Sequence, residues 1–243
     1  MTSKEQARHK HVTLAMCIAA VLVLVAACSS GDTTVDPSGT GASTAATDQR
    51  LLQSSDLPDG YDIYPGNSSQ ELSDTQMQMV NSREYDPAEC ADLYRQQADA
   101  TAASQRVRIY AEKRAPSAPS FGDFIIRGGQ SLMDVDELFS RCGDHTATVP
   151  GEGRITMVSE TVEPPTDFPA SATFAVNSTV ETVPTDPEQV ATKQQSLIGY
   201  AELPGSDSVV QFYSEVYGYG NAIDAEQFWI LFREAYLRAA VQD

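Results

Sequence analysis

The sequence predicts an α+β fold in which an antiparallel sheet of about five to seven strands is covered by helices and held by one disulfide. Three observations carry this. Past residue 145 the chain runs as apolar-rich segments separated by short turn sequences, and connections that short favour a meander over a parallel sheet, which needs crossovers of about a dozen residues. Three other stretches repeat their apolar residues at three- and four-residue spacing, the period of an amphipathic helix. Two cysteines, Cys90 and Cys142, are left over once the N-terminal segment is accounted for.

That segment opens the chain. Lys4, Arg8 and Lys10 precede an apolar run from Val12 to Ala27, the charged and apolar regions of an export signal. At 1.5 Å per residue the run spans about 24 Å, short of the roughly 30 Å hydrocarbon core that a transmembrane anchor must cross. Val25-Ala26-Ala27-Cys28 resembles the lipobox of bacterial lipoproteins. The resemblance implies cleavage before Cys28, diacylglycerol on its thiol, and a chain held at the outer face of the cell membrane. Residues 1–27 are then the signal peptide, and residues 28–48 a Ser/Thr/Gly-rich tether with too little apolar surface to order itself. Twenty flexible residues span roughly 25 Å. Residues 49–243 form one domain.

The chain past the signal carries 13 basic against 33 acidic residues. Nucleic acid is excluded as a partner, because that affinity rests on Lys and Arg neutralising phosphates. Cys17 leaves with the signal and Cys28 takes the lipid, so Cys90 and Cys142 pair in an oxidising compartment. A loop of 52 residues closed in this way stabilises the fold by roughly 4 kcal/mol. No C-x-x-C pair and no second cluster of His and Cys ligands accompanies them, and no cofactor motif is present.

Within the domain, Leu57-Pro58-Asp59-Gly60-Tyr61 reads as a turn, and the polar stretch 67–81 carries no clear assignment. Asp86-Pro87-Ala88-Glu89 has the form of a capping box with Pro at the first helical position, followed by Cys90, Leu93, Tyr94 and Gln97 on one face. Val107, Ile109 and Ala111 alternate with Arg106, Arg108 and Tyr110 as a half-buried strand, and 121–127 is a second, set apart by Pro116 and Pro119. Leu132, Val135, Leu138 and Phe139 lead into Cys142-Gly143, where Gly suits a left-handed helix cap. Strands follow at 146–149, 154–162, 172–183, 195–203 and 209–217, with turns at Gly151-Glu152-Gly153 and Pro204-Gly205-Ser206-Asp207. Asp224 caps a closing helix whose stripe Phe228, Leu231, Phe232, Ala235 and Ala239 faces either the sheet or a partner.

Lipobox, tether, the 57–61 entry, helix-borne Cys90, the helix ending at Cys142, the meander and the closing helix together resemble actinobacterial, mycobacterial-type lipoproteins. The folded part is similar to the PknH-type extracytoplasmic sensor domain. That resemblance implies a twisted sheet with helices packed on one face and a cleft for an unidentified ligand. The kinase sensor domain has two disulfides where this chain keeps one pair, so no ligand residues are carried over.

For chemistry, the mature chain offers one histidine, His145, with no G-x-S-x-G elbow near it. A lone His at a strand start is more often hydrogen-bonded structure than a catalyst. The aromatic set Tyr213, Tyr217, Tyr219 and Trp229, with Gly218 and Gly220 between, is the candidate ligand site: it would stack a glycan ring or line a small pocket, or else pack a strand end under the last helix. The sequence therefore reads as a non-enzymatic, lipid-anchored binding or sensor-like domain for an envelope ligand or protein. A carrier of envelope lipids or glycolipids, with an internal apolar cavity, is the alternative.

Overall fold

The computed structural model describes residues 48–241 apart from 114, 116, 117 and 130; the signal, Cys28, residues 29–47 and Pro116 lie outside them. In chain order the elements are β1 (Asp62–Pro65), α1 (Ser69–Asn81), β2 (Glu84–Asp86), α2 (Cys90–Ala103), β3 (Gln105–Glu112), β4 (Ser120–Arg127) and α3 (Leu132–Cys142). They continue with β5 (His145–Val149), β6 (Gly153–Thr161), β7 (Thr173–Pro184), β8 (Thr192–Glu202), β9 (Ser208–Tyr217) and α4 (Ala225–Val241). The fold is α+β, with one antiparallel sheet in the order β1-β3-β4-β9-β8-β7-β6-β5-β2. Its nine strands exceed the five to seven predicted. The two extra strands, β1 and β2, have four and three residues and sit at opposite edges, too short to show a period.

Because β1 and β2 lie at opposite edges, α1 and α2 carry the chain across the sheet and back. The start of α1 is fixed by a capping box: Glu71 N–H donates to Ser68 Oγ at 3.2 Å and Ser68 N–H to Glu71 Oε2 at 2.7 Å. Leu72 and Val80 face inward with Ser73 and Gln76, so the buried side is half polar and its apolar signal weak.

The capping box predicted at 86–89 is not formed. Asp86 pairs with Thr146 as the end of β2, the Asp86–Pro87 peptide is cis, and α2 begins at Cys90 with no side-chain cap. Strand pairing claims the Asp86 backbone, and Glu89 instead meets Arg141 at 3.4 Å. Gly143 is likewise right-handed, at φ −61°. A Cβ there would lie 2.4 Å from Phe139 O, so the reason for glycine is room and not handedness. Cys90 and Cys142 are bonded, joining the start of α2 to the end of α3.

Helices cover both faces, not one. Val135, Leu138 and Phe139 of α3 and Tyr94 of α2 pack with Phe124, Ile198 and Tyr213 on one side. Phe228, Phe232 and Ala235 of α4 pack on the other with Val210, Phe212, Leu197 and the N-terminal Leu51 and Leu52. The cause is in β9, where nine of ten residues are buried: successive side chains point to opposite faces, and both sets need cover. Glycines make room for rings on both faces. A Cβ on Gly199 would meet the Phe232 ring of α4 at 2.3 Å, and one on Gly122 the ring of Tyr213 on the neighbouring strand at 2.1 Å.

Candidate functional site

The four predicted ligand residues are spread over the sheet. Tyr213 is 1% exposed, packed against Tyr110 and Phe124 beneath the helices α1 to α3. Tyr217, four residues on along the same face, is 40% exposed, and its hydroxyl donates to Glu215 Oε1 at 3.2 Å. Tyr219 lies past the strand, exposed, donating to Glu181 Oε1 at 2.9 Å. Trp229 belongs to the opposite face, in edge contact with Phe168 and Phe228. The structure puts Tyr213 and Tyr217 on one face of β9, with Glu215 between them, and leaves Trp229 on the other side of the sheet.

Between the two tyrosines stands a residue the sequence reading passed over. Glu215 is 1% exposed and accepts hydrogen bonds from Ser120 Oγ at 3.0 Å, Gln194 Nε2 at 2.7 Å and the Tyr217 hydroxyl. Burial pushes its carboxyl up to about 7, against the three donors. The one charged residue in strand β9 was the available signal. On the α4 face Asp123 is also buried and raised by desolvation to about 7; its Oδ2 accepts from Leu52 N–H at 2.7 Å and so pins the N-terminal segment. His145 is 4% exposed, against Tyr85 and Tyr94, with Nδ1 on Cys142 O at 2.8 Å. Burial lowers its pKa. Among the described residues no group of three His, Cys, Asp or Glu is placed to hold a metal ion.

A large hollow lies elsewhere, on the outer side of α4. It measures about 770 Å³ and is lined by Trp229, Ile230, Leu231 and Arg233 with Pro165 and Asp167. A second, of about 360 Å³, is lined by Leu57, Pro58, Gln227 and Ile230. Ile230, 61% exposed, is the ridge between them.

The walls are fixed by side chains. Phe168 anchors the loop 162–172 by packing on Phe232, ring centres 4.8 Å apart, and Arg233 holds Asp167 at 2.8 Å. Asp56 is fastened by Arg238 at 2.6 Å and by Gln53 N–H at 2.6 Å. At 100° per residue, Ile230, Leu237 and Val241 fall within about 40° of one another on the outward side of the helix, and all three are exposed. The sequence reading found only the inward stripe of α4, which covers the sheet. The outward one was legible at the same period but was masked by Arg233 and Glu234 between its members.

The chain matches no protein-family model, no curated protein and no solved structure.

Proposed function

We propose that this chain is a non-enzymatic lipoprotein, anchored by diacylglycerol on Cys28 at the extracytoplasmic face of the cell membrane, whose folded part is a binding or sensor-like domain. The lipobox, the Ser/Thr/Gly tether and the resemblance to PknH-type sensor domains support this. The observation that carries the binding reading is the groove on α4: an exposed apolar ridge between two open hollows, with Trp229 in its wall. Here apolar side chains stand beside fixed charged groups, and recognition sites combine the two.

The alternative, a carrier of envelope lipids, requires an interior chamber of roughly 300 Å³ or more. The hollows lined by Val149, Ile155 and Thr182 and by Gln76, Val80 and Tyr94 measure about 20 and 10 Å³, which favours binding at the surface.

The test uses the full chain in an actinobacterial host, with the photo-crosslinking residue p-benzoylphenylalanine at Ile230 or, as a control, at exposed Val158. The expected result is membrane fractionation that Cys28→Ala abolishes, and light-dependent adducts from position 230 but not 158. Equal or absent adducts at both positions would remove the groove from consideration.

A further inference from the structure

We propose that the α4 groove docks a cationic amphipathic segment of a partner protein, one that places Lys or Arg beside bulky apolar side chains. This rests on the groove being the binding surface proposed above and adds the chemistry of what enters it.

The apolar half of the argument is the stripe Ile230, Leu237 and Val241, which the fold leaves in solvent at 61%, 42% and 82% exposure. A surface helix ordinarily turns charged and polar residues to water on this side. The hollows on either side of Ile230 suit separate protruding side chains better than a flat layer of headgroups.

The charged half decides between occupants. Asp56, Asp167, Asp224, Glu226 and Glu234 line the hollows, and the cations that meet these acids are already engaged: Arg233, in the wall, with Asp167 at 2.8 Å, and Arg238, behind it, with Asp56 at 2.6 Å and Glu234 at 3.2 Å. Glu226 has no ion pair among the described residues. The rim is therefore net negative, on a chain whose formal charge is −18. A second copy would bring the same acids to the same place, and anionic lipid headgroups would be repelled likewise. A segment with Lys or Arg at its apolar edges completes both the greasy and the charged surface, and Trp229 adds an aromatic face for one of the cations.

Trp229 is the only tryptophan in the chain, so its emission reports this groove alone. The experiment reconstitutes the full chain in phosphatidylcholine vesicles and titrates a hexapeptide of alternating Leu and Lys. Controls replace Leu by Ser, or Lys by Glu. The expected result is a saturable shift of Trp229 emission with the Leu/Lys peptide only, weakened at least ten-fold by Ile230→Ser and by Glu226→Lys combined with Glu234→Lys. These positions are outside the core, so circular dichroism should be unchanged.

A Leu/Glu peptide acting equally well, or no saturable shift with Leu/Lys, overturns the proposal. So does an emission shift on adding phosphatidylglycerol to the vesicles without peptide, which would make the occupant a membrane, or one that follows protein density, which would make it a second copy. If position 230 still gives its light-dependent adduct while the Leu/Lys peptide is inert, only the cationic chemistry falls. If both are blank, the groove reading falls with it.

Discussion

Glu215 is a carboxyl group in the sheet interior with three donors around it, and burial still outweighs them. Its pKa lies near 7 in the folded chain against an ordinary 4.5. A pKa raised on folding means that the native state holds its proton more tightly than the unfolded chain does. The associated stability is then complete below about pH 4.5 and is lost as pH rises through about 7. The full difference is on the order of 3 kcal/mol. Asp123 has the same sign, from an ordinary 3.8. Glu215→Gln should flatten its share of this slope: urea midpoints of the variant and the parent at pH 5 and pH 8 are expected to differ most at pH 8, in the variant's favour. The amide fits because Gln194 Oε1 has no partner as it stands, and turning the Gln194 side chain over supplies the acceptor. An unchanged slope would assign the pH dependence to other groups.

At the scale of elements, the seating of α4 depends on a ring resting on a bare strand backbone. The Phe232 ring lies where a Cβ on Gly199 would be. Gly199→Ala must displace that ring from Phe168, Phe212 and Phe228, and overpacking of this kind costs about 1–3 kcal/mol. Thermal melting should show the loss, with Gly205→Ala affected for a different reason, its φ of +76° and not contact. If Gly199→Ala melts with the parent, the helix has a softer seat than the contacts indicate. This face was hard to read in advance because a glycine within a strand does not announce what presses on it. The long strands were legible from the turn residues that bound them, and the helices α3 and α4 because each holds the helical period over eleven or more residues. Strands β1 and β2 and helix α1 were not, the first two for brevity and the third because Gln76 and Ser73 share its buried side with Leu72 and Val80.

Across the whole molecule, the disulfide ties α2 to α3 on the face opposite α4. Replacing Cys90 and Cys142 together by Ser should cost roughly 4 kcal/mol through the freed 52-residue loop. Mass spectrometry should find the parent two hydrogens lighter than its reduced form. A variant that melts within a degree of the parent would mean that packing alone holds α2 and α3. On the opposite side the N-terminal segment enters beside α4, through Leu51, Leu52 and Asp123, so a lipid tether at Cys28 would leave the groove on the face where the tether begins.

What the sequence by itself determined is whatever depends on neighbours within a few residues: the helix periods, the strands marked off by turn residues, and the hairpin turns. Local chemistry suffices for these. Tertiary structure alone decided which side of the sheet each element covers, and with it that Tyr213 is core while Ile230 is surface, that Tyr217 and Trp229 never meet, and that Glu215 is kept from water. Each of these follows from contacts between residues far apart in the chain, whose geometry no single segment encodes.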